Sequence, residues 1–147
     1  MESTTLKAET VIAAPREKVF GFLTDPNKAT LAFASLIENT GVPPLPLKVG
    51  SSFRYKYKMY GVVLEGSWEV TRIEPAAYEA RTSGDASSTW RYSLEEKGGG
   101  TRLSASITYE APGSLLQKAK AAVLQALNQK ELEHGLQNMK TLLEMGR

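Results

Sequence analysis

The feature that most constrains this chain is an alternation of side-chain character that runs from residue 51 to residue 110. In "SSFRYKYKM", the aromatic residues Phe53, Tyr55 and Tyr57 alternate with basic ones, and the same period of two recurs in four later segments. Successive side chains of a strand point to opposite faces of a sheet. Turn residues such as the triple glycine at 98–100 separate the segments. The pattern predicts five antiparallel strands with one solvated and one hidden face.

The residues before this region predict a strand and two short helices. "TTLKAETVIAA" alternates in the same way and predicts a first strand. Pro15 is typical of the first turn of a helix, and Asp25 followed by Pro26 repeats that start signal for a second helix ending near Phe33. "SLIENTGVPPLPLKVG" follows, and its prolines and glycines favour a long irregular connection.

The residues after Ser114 have a helical period up to the end of the chain. Two apolar stripes lie roughly on opposite sides of this helix, and one straight helix cannot bury both on the same surface. We therefore expect a kink or break near Asn128–Glu131, with the second segment packed on the sheet. The stripes are Leu116, Ala119, Val123 and Leu127, and then Leu132, Leu136, Met139 and Leu143.

The hidden face of the predicted sheet is rich in aromatic residues, including five of the six tyrosines. A filled core favours aliphatic side chains, because each buried tyrosine hydroxyl needs a hydrogen-bond partner. A helix about 10 Å across is too narrow to cover a curved sheet of six or seven strands. Small residues on the same face leave further room. The pattern predicts an apolar ligand cavity; the alternative is an ordinary core with tyrosine hydroxyls at its rim.

The side chains expected to contact a ligand share this inward parity or belong to the second helical stripe. They are Tyr55, Tyr57, Trp68, Tyr78, Trp90, Tyr92, Tyr109, Leu136 and Met139. The basic residues Lys56 and Lys58 point to the opposite, solvated face. A single-strand nucleic-acid surface needs rings and cations together, so we expect no nucleic-acid partner.

Composition removes most catalytic and metal chemistry from consideration. The 147 residues include no cysteine and a single histidine, His134, so we expect no metal site and no cofactor. His134 lies beside the second stripe rather than on it, which favours a surface or boundary position; the alternative is an acid/base position in the cavity. Arg72 could face the cavity, or a bulge before Pro75 could turn it outward. The chain has no apolar run of about 18 residues, so we expect a cytoplasmic protein without membrane insertion.

Four segments in order resemble the START-related helix-grip superfamily, often called SRPBCC, which contains polyketide cyclase/dehydrase-like and lipid-transfer domains. They are "TVIAAPREKVFGFLTDPNKA", "LKVGSSFRY", "GSWEVTRIEPAAYEA" and "LQNMKTLLE". The resemblance implies one α+β domain over residues 1–147. Its helix-grip fold wraps a six- to seven-stranded curved antiparallel sheet around a long C-terminal helix, with two short helices after the first strand. Relatives often carry a tryptophan where this chain reads "LAFASLIE", so their entrance chemistry does not transfer.

The resemblance implies an internal cavity for a hydrophobic ligand and does not by itself imply catalysis. We expect binding or transport of a small lipid, quinone or aromatic polyketide. The alternative is a cyclase, dehydratase or hydrolase that uses tyrosine hydroxyls, and Arg72 if it faces inward, as donors to an enolate-like intermediate. No inward-facing acid or histidine is visible, which favours the binder and leaves no catalytic residue to assign. An interaction domain of the same fold would instead expose an apolar patch outside the cavity. The oligomeric state stays open.

Overall fold

The computed structural model describes residues 3–59, 62–85, 87–110 and 115–145. Seven strands form one antiparallel sheet in the order β1-β7-β6-β5-β4-β3-β2, curved around a long C-terminal helix. This confirms the predicted α+β helix-grip fold. The elements are β1 Ser3–Ile12, α1 Arg16–Leu23, α2 Pro26–Ala32, β2 Leu36–Thr40, β3 Ser52–Met59, β4 Val62–Glu74, β5 Ala77–Gly84, β6 Ser88–Lys97, β7 Gly100–Glu110 and α3 Leu115–Glu144.

The two short helices begin where the sequence predicts. Pro15 immediately precedes α1, and its extended backbone at φ −61° directs the chain into the helix. Asp25 caps α2, because its Oδ1 accepts a hydrogen bond from the Asn27 backbone N–H at 3.0 Å, with Pro26 in the first turn. Helix α1 buries Val19 and Phe22. Helix α1 contacts β6 and β7, whereas α2 contacts β2, the strand at the other edge of the sheet from β1.

The prediction of a wholly irregular connection after α2 was wrong. Leu36–Thr40 forms β2, an edge strand that pairs antiparallel with β3 and shifts register between Leu36 and Glu38. All the prolines and glycines of the connection come after Thr40, so nothing in the first five residues opposes a strand. Asn39 ties the strand to α2, since its Nδ2 donates to the Pro26 carbonyl at 2.9 Å.

The predicted break in the C-terminal helix was also wrong, because α3 runs without interruption through Asn128–Glu131. That segment contains neither proline nor glycine, and its polar side chains bond outward to other elements. Glu131, for example, accepts a hydrogen bond from the Ser35 backbone N–H at 3.1 Å. The second apolar stripe is buried as predicted. The first stripe, between 116 and 127, lies outside the described side chains.

Helix α3 lies along β1, which is an edge strand of the sheet. Gln129 donates to the Lys7 carbonyl at 2.7 Å, and Lys140 Nζ donates to the Val11 carbonyl at 2.7 Å. Glu144 accepts a hydrogen bond from a backbone N–H just beyond the strand, that of residue 13, at 2.8 Å. The hydrogen bond from Lys140 and then the one from this N–H lower the pKa of the Glu144 carboxyl. Side chains of the helix thus bond directly to the backbone at this edge.

The outer face of the sheet carries ion pairs between neighbouring strands. Lys56 lies between Glu38 and Glu65, with N–O distances of 3.6 and 3.7 Å, which agrees with its predicted outward direction. A register shift between Val70 and Arg72 marks the bulge that settles the direction of Arg72. Its guanidinium points outward to two acidic side chains of the same face, Glu74 and Glu79.

One half of the concave face is filled by aliphatic side chains. We call this set the aliphatic core: Ile12, Val19, Leu94, Leu103, Leu136 and Leu143, none of them more than 7% exposed. Leu94 and Leu103 are direct partners across β6 and β7, so the core occupies the end of the sheet next to the β6–β7 turn. Within the part of the chain that the structure describes, no helix is long and apolar enough to span a bilayer.

A candidate ligand-binding cavity

The other half of the concave face borders a cavity of about 580 Å³. Its walls come from the sheet, from both short helices and from α3, and they are mainly apolar. Eight of the nine side chains predicted to contact a ligand line it: Tyr55, Tyr57, Trp68, Tyr78, Trp90, Tyr92, Tyr109 and Met139. Their common parity on different strands is what brings them to one surface.

Leu136 is the exception, since it is buried and is not among the residues that line the cavity. Leu132 and Met139 line the cavity and are seven positions apart, which is close to two helical turns. Leu136 is four residues from Leu132 and is therefore rotated by about 40° around the helix. The stripe is broad enough to serve two regions, and Leu136 faces the filled one.

The aromatic side chains of the wall contact one another across the strands. The ring centroids of Trp68 and Trp90 are 5.3 Å apart, and Tyr78 stacks on Tyr92 at 6.1 Å with an interplanar angle of 14°. Trp68 Nε1 donates to the Tyr78 hydroxyl at 3.0 Å. Phe33, just after α2, meets Trp90 edge-on at 6.1 Å. The wall is a continuous aromatic surface whose rings are held in fixed orientations.

Burial changes the acidity of two of these phenols. It raises the pKa of Tyr78 to about 12, against which the hydrogen bond from Trp68 acts weakly. Burial also raises the pKa of Tyr92, and the neighbouring Tyr78 and Tyr57 phenols raise it further. Both hydroxyls therefore keep their protons throughout the neutral range and can act as hydrogen-bond donors.

The end of the cavity near the β5–β6 turn is polar and reaches solvent. Ser88 accepts a hydrogen bond from Trp90 Nε1 at 3.0 Å and shares another with the Thr82 hydroxyl at 2.7 Å. Asp85 and Ser87 line the cavity and are exposed. Asp85 is fixed there because its Oδ2 accepts a hydrogen bond from a backbone N–H of β4 at 2.9 Å. We call this end the mouth of the cavity.

Two glycines make room for wall residues. A Cβ on Gly66 would overlap the Ser83 carbonyl oxygen and come within 2.7 Å of the Tyr55 hydroxyl, so only glycine lets strand and ring approach this closely. A Cβ on Gly135, in α3, would overlap the ring of Phe33. Phe33 reaches the cavity wall because the helix has no side chain at that point.

The sequence did not predict the contributions of the short helices, β2 and the polar part of α3. The additional lining residues from these elements are Phe22, Leu23, Pro26, Ala29, Ala32, Phe33, Leu36, Asn39, Asn128, Glu131 and Leu132. Phe33 and Leu36 lie in "LAFASLIE", where relatives often carry a cavity tryptophan, and that correspondence was a usable signal. Asn39 and Glu131 were missed because a loop and a helix break were expected at their positions.

The remaining candidate residues lie away from the cavity. His134 is exposed, and Arg72 is on the outer face. Among the described residues, no group of three or more His, Cys, Asp or Glu side chains is arranged to hold a metal ion. Histidine is also missing from the described lining, so the wall offers tyrosine hydroxyls as its main polar groups.

Fold and cavity together define this chain as a helix-grip protein with an internal, mainly apolar binding space. A family model described as polyketide cyclase / dehydrase and lipid transport matches residues 3–144, and the chain belongs to that family. Membership supports hydrophobic-ligand binding or a polyketide-cyclase role as the class of function. A search of curated protein sequences finds no match.

Solved structures share the fold of this chain. TTHA0849 from Thermus thermophilus has a TM-score of 0.81 at 18% identity, over 94% of this chain and 95% of that one. The Zhui aromatase/cyclase from Streptomyces sp. R1128 has a TM-score of 0.79 at 14% identity, over 97% and 94%. Ara h 8.0201 has a TM-score of 0.69 at 15% identity, over 96% and 97%. At these identities the similarity establishes the fold.

Proposed function

We propose that the protein is a single-domain binder or carrier, over residues 1–147, that holds a small hydrophobic molecule in the cavity. The class of ligand is a lipid, a quinone or an aromatic polyketide. The observation that carries the proposal is a space of about 580 Å³ with mainly apolar walls. Small-molecule sites typically have about 300–1,000 Å³ and a few polar groups among apolar ones.

The proposed ligand contacts are the aromatic wall and the adjoining residues of α3. Stacking and apolar burial against Trp68 and Trp90 would supply most of the affinity, and tyrosine hydroxyls would orient polar atoms of the ligand. Ser88 holds one indole and Tyr78 the other, so the wall is organised before a ligand enters. Such preorganisation reduces the entropy that binding costs.

The test introduces a larger side chain on α2 that fills part of the cavity, and it follows ligand binding by the fluorescence of the two wall tryptophans. Ala29 lines the cavity, whereas Leu31, two residues along the same helix, is 62% exposed. A fatty acid, a flavonoid, a quinone and an uncharged apolar dye would be titrated against wild type, Ala29→Phe and Leu31→Phe. We expect Ala29→Phe to weaken binding about tenfold or more, because the new ring takes the ligand's place, and Leu31→Phe to leave it unchanged.

Two results would contradict the proposal. One is that no member of the panel alters the tryptophan emission of wild type. The other is that both phenylalanine variants lose affinity equally while their thermal unfolding is unchanged, since the ligand would then bind outside the cavity.

A cyclase or dehydratase is the second candidate, and the tyrosine hydroxyls in an apolar space favour it. Donors of this kind stabilise a developing enolate oxygen. The carboxylates among the described lining residues are Asp85 and Glu131, and each already accepts a hydrogen bond from a backbone N–H. The binder therefore leads. Incubation with a linear poly-β-ketone thioester separates the two, because a binder forms no more ring product than the thioester forms without protein, whereas a cyclase accelerates the formation of one ring product, as followed by chromatography.

A further inference from the structure

We propose that the hydroxyl groups of Tyr78 and Tyr92, here called the phenol pair, form a donor site for an uncharged acceptor oxygen. The ligand that fits is a planar ring molecule with a ketone or quinone carbonyl. This inference rests on the proposed function and narrows its ligand class. It assigns recognition to two side chains rather than to the apolar wall as a whole.

The phenol pair is aligned by the sheet. Tyr78 and Tyr92 are direct partners across β5 and β6, and their rings are nearly parallel, at 14°. Parallel rings rising from the same level of two neighbouring strands carry their para-hydroxyls to a similar depth. Tyr92 is four residues beyond Ser88, which is about 13 Å along the strand from the mouth. The pair lies deep in the cavity.

The Tyr78 hydroxyl is prepared to donate. Its oxygen already accepts the hydrogen bond from Trp68 Nε1 at 3.0 Å. A phenol has one proton to give and two lone pairs, so the remaining strong interaction of Tyr78 is donation of that proton. Accepting one hydrogen bond also polarises the O–H group and strengthens the bond it donates.

The Tyr92 hydroxyl lacks a partner within the described parts of the chain, although the side chain is only 4% exposed. In those same parts, no fully buried side-chain nitrogen or oxygen is left without a hydrogen bond. The Tyr92 oxygen is therefore not fully enclosed by protein, and its side chain lines the cavity. An unpaired hydroxyl in an apolar space is unfavourable, and a ligand oxygen that accepts its proton removes that cost.

The charges around the cavity favour an uncharged acceptor. Lys and Arg are absent from the described lining residues, and the charged groups there are the carboxylates of Asp85 and Glu131. An anionic ligand oxygen placed at the phenol pair would leave water without gaining a cation among them. A ketone oxygen has no such requirement. The raised pKa values of Tyr78 and Tyr92 keep both protons available to it at neutral pH.

The test compares two probes of one shape. 9-Fluorenone and fluorene are planar three-ring molecules that differ in a carbonyl against a methylene group, and both would compete with Nile red. The wild-type protein should bind fluorenone more tightly than fluorene. Tyr92→Phe should weaken the affinity for fluorenone about threefold to tenfold, since one hydrogen bond is lost, and should leave the affinity for fluorene unchanged. Ser93→Ala removes a hydroxyl from the outer face beside Tyr92 and should change neither affinity.

A charged probe and a second variant complete the experiment. Fluorene-9-carboxylate should bind more weakly than fluorenone, and Tyr78→Phe should reduce the preference for fluorenone as Tyr92→Phe does. Equal affinity of wild type for ketone and hydrocarbon, equal weakening of both by Tyr92→Phe, or tightest binding of the carboxylate would overturn the donor site while the cavity function stands. Failure of all three probes to displace Nile red would overturn the donor site together with the proposed binding of ring molecules.

Discussion

The aliphatic core and the aromatic cavity wall occupy the same concave face of the same sheet, yet one is filled and the other is open. In the core, Leu94 and Leu103 of the sheet and Leu136 and Leu143 of α3 are all buried and belong to one apolar cluster. In the wall, Trp68 and Trp90 stand beside a space of about 580 Å³. Direct cross-strand pairs occur in both regions, Leu94 with Leu103 in the core and Tyr78 with Tyr92 in the wall, so the two regions differ in the side chains that these pairs carry.

The comparison shows how an apolar surface can stay open. Branched aliphatic side chains interdigitate until little space remains. The wall rings are instead held by polar atoms, because Trp68 Nε1 bonds to Tyr78 and Trp90 Nε1 bonds to Ser88. A ring that moved inward to fill the cavity would break its hydrogen bond. The polar tips of the aromatic side chains thus prevent collapse of the space they surround.

The largest expected effect is in the filled region. Leu136→Ala removes a side chain that is 1% exposed from a close-packed core. We expect a loss of about 2–5 kcal/mol in the free energy of unfolding, measured in urea, because burial is lost and a void remains. His134→Ala, on the exposed side of the same helix, should cost less than about 0.5 kcal/mol. Similar losses at both positions would contradict the assignment of Leu136 to the core.

A smaller effect is expected where helix and wall meet. Gly135→Ala should displace the Phe33 ring and lower the free energy of unfolding by about 1–3 kcal/mol. The better helix propensity of alanine should offset about 1 kcal/mol of this loss. The tryptophan emission should change as well, because Phe33 packs on Trp90. Gly21→Ala is the matched control: a Cβ there meets nothing within 4 Å, so stability should rise by up to about 1 kcal/mol. Equal gains in both variants would show that Phe33 is not constrained.

The smallest expected effect concerns the buried phenols at high pH. Below pH 10.0, the ordinary pKa of tyrosine, both the folded and the unfolded chain keep the Tyr78 proton. Between this pH and about 12 the unfolded chain releases it and the folded chain does not, so stability falls. The loss attributable to Tyr78 should be about 1 kcal/mol from pH 10 to pH 11. Urea unfolding at these pH values should give a shallower decline for Tyr78→Phe than for wild type, and identical declines would contradict the burial.

The period of two was the most informative signal in the sequence, because alternation directly states which side chains share a face. It correctly grouped residues as distant as Tyr55 and Tyr109 on one wall. It could not separate the filled half of that face from the open half, since both halves alternate alike. That division depends on where α3 packs against the rest of the fold, which no local pattern records.

Errors arose where a local pattern competed with tertiary contacts. The opposing stripes of the last helix predicted a break, but polar contacts such as that of Glu131 with the Ser35 backbone support an unbroken helix. β2 was missed because a five-residue strand beside prolines has little signal of its own and is stabilised by pairing with β3. Leu136 was placed in the cavity because a stripe was treated as a single surface.

The hydrogen bonds between α3 and β1 have a consequence for the behaviour of the protein in concentrated solution. An edge strand normally presents unpaired N–H and C=O groups that can template pairing with another molecule and start aggregation. Here the Lys7 and Val11 carbonyls and the Ala13 N–H are already bonded to side chains of the helix. A strand from a second molecule would have to displace Gln129, Lys140 and Glu144 before it could add to the sheet. The helix that bounds the cavity thereby also prevents a further strand from pairing with the sheet at the β1 edge.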